Sequence, residues 1–172
     1  MDVQDKVVAI TGAARGLGQE FACSLAAAGA RVIAADINDC AATLELVAAA
    51  NGNGIAIRLD VTDAGSARAM VEAGLAAFGR VDALINNAAL YGALHGGRFD
   101  AIDEAEWDAA MAVNVKGIWN CVRAVAPRMR AQGRAPRAAV ADVALDVLDD
   151  DDRVVDDAPD GDGERAEGED VE

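Results

Sequence analysis

Between an apolar run, KVVAI at 6–10, and the helically spaced EFACSLAAAGA at 20–30 lies the stretch TGAARGLG, with glycine at Gly12, Gly16 and Gly18. Glycines between a strand and a helix have a mechanical use. The chain can turn tightly, its backbone can approach a pyrophosphate, and the helix N-terminus favours the negative charge. Eighteen residues beyond Gly18, Asp36 ends the run RVIAAD, where a carboxylate can accept hydrogen bonds from an adenosine ribose. Together they predict a dinucleotide site, against the plainer reading of a structural strand-to-helix turn. A carboxylate at Asp36 would also repel the 2′-phosphate of NADP, so NAD is the expected cofactor. Arg15 pulls weakly the other way, because a guanidinium near the ribose could pair with that phosphate; its plainer reading is a solvated turn residue.

The elements that must position these residues alternate along the chain. RVIAAD (31–36) reads as a second strand, CAATLELVAAANG (40–52) as a helix closed by Asn51 and Gly52, GIAIRLD (54–60) as a third strand, and VDALINNAA (81–89) as a fourth. Thr62 is the predicted N-cap of the helix continuing through ARAMVEAGLAAFG. Strands alternating with helices of this length call for right-handed crossovers and a parallel sheet covered on both faces. The predicted class is therefore α/β, a Rossmann-like doubly wound sheet of about four strands. After a glycine-rich loop, Asp103 can cap a long helix from Glu104 to about Met129, with Glu106 returning the bond. Its apolar stripe is Trp107, Met111, Ile118, Cys121, Val122 and Val125, and Pro127 is a potential kink. Nothing with a clear strand boundary follows.

These residues together resemble the short-chain dehydrogenase/reductase family, whose fingerprint is TGxxxGxG, then an acidic residue with a neighbour near the adenine, then NNAG. This chain has Thr11 to Gly18, then Asp60 and Val61, then NNAA at 86–89. The resemblance covers residues 1 to about 133. It implies that the whole glycine stretch, Arg15 and Leu17 included, meets the cofactor. It further implies that Asp60 and Val61 frame the adenine, and that Asn86 and Ala88 lie along the cofactor's ribose and brace the sheet. Ala89 stands where the family usually has glycine. Asn114, in MAVNVKG, matches the family asparagine that holds a water in the proton relay. The structural alternative is a side chain that fixes a helix distortion through backbone bonds, since a buried asparagine is costly unless bonded.

The family chemistry exchanges a hydride between nicotinamide and the carbon of a small alcohol or ketone. It relies on a tyrosine whose pKa is lowered by a lysine four residues on, and on a serine that positions the substrate oxygen. By resemblance all three would fall beyond residue 133, and these 172 residues do not hold that set. The only tyrosine is Tyr91, the only lysines are Lys6 and Lys116, and the only serines are Ser24 and Ser66. Tyr91 has His95, not lysine, four residues later. The expectation is a chain that keeps the dinucleotide site but does not turn over; the alternative is a non-catalytic dinucleotide-binding or interaction protein. The family sheet has the order 3-2-1-4-5-6-7, so the fourth strand, with Leu84 and Ile85, is expected to be an unpaired edge. The family's homo-oligomer contact, near the long helix, is expected to be impaired.

Composition narrows the remaining classes. The formal charge of -15 is uneven: residues 134–172 carry 15 Asp and Glu against four Arg, net -11, leaving -4 for residues 1–133. No basic stripe offers itself to nucleic acid, and an anionic membrane would repel the whole chain. Cys23, Cys40 and Cys121 stand far apart with one histidine, so packed, reduced thiols and no metal site are expected. No leader or long apolar stretch opens the chain, and a cytoplasmic protein is inferred. From Arg134 onward only eight residue types occur, each encodable by a codon starting with G or C. That restricted alphabet suggests a frameshift near codon 134; the alternative is a genuine acidic tail, disordered because like charges with little apolar content cannot offset chain entropy.

Overall fold

The computed structural model describes residues 3–91, 98–133 and 138–140. Strand β1 (Val7–Thr11) leads through the glycine turn into helix α1 (Gly16–Ala27), then β2 (Arg31–Asp36), α2 (Ala41–Ala49), β3 (Asn53–Arg58), α3 (Ala64–Phe78) and β4 (Ala83–Asn86). A short 3-10 turn (Phe99–Ala101) and α4 (Glu104–Met111) follow. A π-helical segment (Ala112–Gly117) then joins α4 to α5 (Ile118–Ala131), and β5 (Ala138–Val140) comes last.

The strands form one parallel sheet in the order β3-β2-β1-β4-β5. β1 lies at its centre and is fully buried. Because side chains alternate along a strand, each strand feeds two cores. Val7, Ala9, Ile33 and Ala35 face α3 and α5 and pack with Met70, Val71, Cys121, Val125 and Met129. Val8, Ile10, Val32 and Ala34 face the other way, against Ala22, Ala26 and Val47 of α1 and α2. This is the doubly wound Rossmann-like class expected from the alternating runs.

Three expectations need correction. β4 is not an edge: Leu84, Ile85 and Asn86 pair with Ala138, Ala139 and Val140 of β5, so a short fifth strand lies within the stretch taken for tail. Three small apolar residues suffice for a rung of ladder but carry no periodic signal. The N-cap of α3 is Asp63, not Thr62: the Asp63 carboxylate accepts from the Gly65 and Ser66 amides at 2.8 and 3.1 Å. Thr62 is drawn instead to Asp60, to whose Oδ1 its hydroxyl donates at 2.7 Å. The long helix is also not continuous. The π segment widens the turn and shifts the phase of the apolar face. Cys121 and Val125 are therefore buried, while Trp107 and Met111, from the same predicted stripe, are largely exposed. The Asp103 cap is present, its Oδ1 accepting from the Ala105 and Glu106 amides at 2.8 and 3.2 Å.

Long-range polar bonds fix the frame. Buried Asp82 accepts from the Val7 amide at 2.9 Å and joins β1 to the start of β4, with Arg80 closing over it. Gln132, past the end of α5, accepts from Val81 N at 3.2 Å and donates to Val81 O at 2.8 Å. No helix among the described residues is long and apolar enough to cross a membrane. Of the predicted acidic tail, residues 134–137 and 141–172 lie outside the described residues, as does His95.

Candidate cofactor site

Asn114 lies on the π segment, and the cofactor-site candidates lie at or just past the C-terminal ends of the parallel strands. There the order changes direction, β1 being followed on one side by β2 and on the other by β4. In open α/β sheets such a crevice is where ligands bind.

The glycine turn fills the crevice floor. Gly12 has φ +69°, and a methyl there would stand 2.8 Å from Ala88 Cα and 2.9 Å from Asn87 Nδ2. Gly18, in the first turn of α1, faces the Gly12 carbonyl so closely that a methyl would strike its oxygen. Gly16 differs: its φ is +59°, yet a methyl would meet nothing within 4 Å. Gly12 and Gly18 thus let α1, β1 and β4 touch, whereas Gly16 supplies a left-handed backbone beside open space. Arg15 and Leu17 are exposed on the same turn.

Asp36 is buried to 8% exposure at the end of β2. Its Oδ2 accepts from the Ala14 amide at 3.0 Å, and its Oδ1 from the Asn38 amide and side chain at 2.9 and 3.1 Å. An ionised carboxylate offers about four acceptor sites, so these three bonds orient it and leave capacity for a hydroxyl donor.

Asp60 and Val61 follow β3. Asp60 Oδ1 takes both the Thr62 amide and hydroxyl, at 2.9 and 2.7 Å. Val61 packs into the core, and its carbonyl accepts from buried Asn120 at 2.9 Å. Gly117, in the π segment, lies directly on it: a methyl there would stand 2.7 Å from Val61 Cγ2. Asn86 is buried at the end of β4, and Ala88 lies under Gly12. Asn114 sits in the π segment and binds the Leu90 backbone in both directions, accepting from its amide at 2.7 Å and donating to its carbonyl at 3.1 Å. It therefore ties the distorted helix to the chain leaving β4, as its structural reading anticipated.

The other polar side chains weighed for chemistry are dispersed. Tyr91 is 86% exposed. Lys116 is exposed on the π segment, Ser24 pairs with Glu20 on the surface of α1, and Ser66 accepts from the Asp60 amide at 3.0 Å. Cys40 and Cys121 are buried; burial, joined at Cys40 by the charges of Asp36 and Asp39, pushes each thiol up to about 11. No cluster of metal-ligating side chains occurs among the described residues.

Four contributors were not singled out in the sequence. Thr11 Oγ1 accepts from the Asn87 and Ala88 amides, both at 3.0 Å. Asn87 Nδ2 donates to the Thr11 and Gly12 carbonyls, again at 3.0 Å. Thr43 of α2, fully buried, donates to the Ala13 carbonyl at 2.7 Å and accepts from Gln19 Nε2 at 3.0 Å. Only Thr11 and Asn87 lie in a recognisable pattern, TG and NNA; Thr43 and Gln19 have no sequence signal.

A glycine turn braced from both neighbouring strands, with an oriented carboxylate at the end of the next strand, defines the crevice of a Rossmann-like fold. The model of the short chain dehydrogenase family matches residues 6–141, and the chain belongs to that family. It is 40% identical over 134 residues to galactitol 2-dehydrogenase of Agrobacterium fabrum, which covers 78% of this chain and 51% of that one. It is 37% identical over 144 residues to 2-(R)-hydroxypropyl-CoM dehydrogenase of Xanthobacter autotrophicus, covering 81% and 57%. A solved short-chain dehydrogenase/reductase from Burkholderia phymatum in complex with NAD matches with a TM-score of 0.75 at 33% identity, over 81% of this chain and 50% of that one. The chain spans about half the length of the curated relatives it matches.

Proposed function

We propose that the chain binds NAD in preference to NADP, with Gly12, Arg15, Gly16, Leu17 and Gly18 at the pyrophosphate and Asp36 at the adenosine ribose. Asp60 and Val61 then lie at the adenine, and Asn86 and Ala88 along the remaining ribose. The observation that carries this reading is the Asp36 carboxylate, held at the end of β2 with acceptor capacity to spare. A fixed negative charge there favours a ribose diol and disfavours a 2′-phosphate. The NAD complex of the Burkholderia phymatum structure supports the same choice.

The family reaction we assign is hydride exchange with a small alcohol or ketone, supported by the relatives named galactitol 2-dehydrogenase and 2-(R)-hydroxypropyl-CoM dehydrogenase. Asn114 stands at the relay position. These 172 residues contain no YxxxK, and their two serines are engaged elsewhere, Ser24 with Glu20 on α1 and Ser66 with the Asp60 amide; losing a positioned acid–base group costs on the order of 10² to 10⁴ in rate. We therefore read this chain as binding cofactor without turnover, which equally describes a non-catalytic dinucleotide-binding protein. The three free thiols, two of them buried, support a reducing, cytoplasmic setting. Titration with NADH and NADPH, followed by nucleotide fluorescence, tests the reading. Tighter binding of NADH, and loss of that preference in Asp36→Ala, is expected. Failure to bind either nucleotide overturns it, and NADH oxidation with small ketones would overturn the absence of turnover.

A further inference from the structure

The glycine turn is held not only by its neighbouring strands but also by α2, through a chain of hydrogen bonds that ends on Asp36. Gln19 Nε2 donates to Thr43 Oγ1 at 3.0 Å, and Thr43 Oγ1 donates to the Ala13 carbonyl at 2.7 Å. The Ala13 carbonyl and the Ala14 amide belong to one planar peptide group, so fixing one fixes the other. That Ala14 amide is the donor to Asp36 Oδ2, at 3.0 Å. Gln19 Nε2 also reaches the next carbonyl, that of Ala14, at 3.4 Å. Thr43 has no exposed surface, so its hydroxyl has no water to turn to, and its bonds are made within the protein.

The geometry points to Thr43, supported by Gln19, as a positioning residue for cofactor selectivity: it sets the plane of the 13–14 peptide, which in turn aims the Asp36 carboxylate at the ribose. This inference rests on the reading of Asp36 as the ribose acceptor. Without the Thr43 hydroxyl the Ala13 carbonyl is buried and unpaired. The peptide then loses the anchor on its carbonyl side, its bond to Asp36 loosens, and Asn38 is left as the firmer partner of the carboxylate. A ribose hydroxyl that must find the remaining acceptor site on Oδ2 in line is hurt by that loosening. A 2′-phosphate, which gains nothing from a carboxylate, is not.

The test compares NADH and NADPH dissociation constants for the wild type, Thr43→Val, Thr43→Ser and Gln19→Met, with a melting curve for each. Thr43→Val keeps the shape and removes the hydroxyl; Thr43→Ser keeps the hydroxyl. The expected result is a roughly tenfold weaker NADH affinity in Thr43→Val, the worth of one well-placed hydrogen bond, with NADPH affinity little changed. Thr43→Ser is expected to restore the wild-type ratio, and Gln19→Met to lower it in the same direction. Equal weakening of both nucleotides in Thr43→Val, or no rescue by serine, assigns Thr43 to packing alone and overturns the inference. If Thr43→Val does not fold, an unchanged ratio in Gln19→Met overturns it. A wild type that binds neither nucleotide overturns the cofactor reading itself, a distinct result, and the inference falls with it.

Discussion

Two glycines in one turn should fail in opposite ways. Gly18→Ala places a methyl against the Gly12 carbonyl and 2.5 Å from Asn87 Nδ2. The first obstacle is backbone and cannot swing aside, so α1 must shift away from β1. Forced overpacking of this kind costs about 1–3 kcal/mol, sometimes more. For a domain of this size each kcal/mol lowers the melting temperature by about 4 °C, so a drop of roughly 4–12 °C is expected. Gly16→Ala meets no atom within 4 Å, and its cost is the left-handed backbone alone, about 1–2 kcal/mol. Its methyl, however, stands in the open space beside the turn, where the pyrophosphate is proposed to lie. Gly16→Ala should therefore lose NADH affinity out of proportion to its small loss in stability. Circular dichroism melts paired with NADH titration separate the two outcomes. A Gly18→Ala protein that melts with the wild type refutes the close-packing argument. A Gly16→Ala protein that binds NADH normally refutes the placement of the pyrophosphate.

Asn114→Leu removes both bonds to the Leu90 backbone, and a loss of about 1–3 kcal/mol is expected, with faster amide exchange at Leu90. Unchanged exchange there would show that the π segment holds itself. Cys40 and Cys121 ionise at about 11 in the fold against 9.0 otherwise, so the folded chain keeps protons that the unfolded chain has released. Their contribution to stability is complete below pH 9.0 and is lost as pH rises toward about 11. Urea unfolding between those pH values should show a shallower decline in a Cys40→Ala, Cys121→Ala double variant; an identical slope would remove the thiols as its cause. Finally, the other two reading frames of the gene downstream of codon 134 are expected to encode a serine followed by YxxxK. If neither does, the frameshift idea is wrong and the acidic stretch is genuine.

The strands were legible because each is a short apolar run between turn residues. RVIAAD became β2 without a residue's change, its buried apolar run Val32–Ala35 being closed at each end by a charged residue. The errors fell where a bond competes with a pattern. Thr62 and Asp63 are both good caps, and the choice between them was made by Asp60, which captures the Thr62 hydroxyl. The break in the long helix follows from the fit of Gly117 on Val61 and the grip of Asn114 on Leu90, contacts between residues 56 and 24 positions apart that no local window contains. The fifth strand was hidden by its brevity, and by composition that reads as tail. The family match reaches residue 141, one residue past β5.

For the site, the glycines and Asp36 announce where a nucleotide would lie, but they do not hold the turn in shape. Glycine is the residue least able to fix its own backbone, because it has the most conformations to lose. The shape comes from Thr11, Asn87, Thr43 and Gln19, each using a side chain to satisfy a turn amide or carbonyl. Every one of these bonds lies between residues 11 and 88, on β1, α1, α2 and the turns that follow β1 and β4. The catalytic groups of the family, by contrast, would come from a later stretch that these 172 residues do not supply. Cofactor recognition and proton transfer are thus physically separable along the chain. Under the proposed reading the nucleotide is held by residues between 11 and 88 alone, which is why binding and turnover must be measured independently.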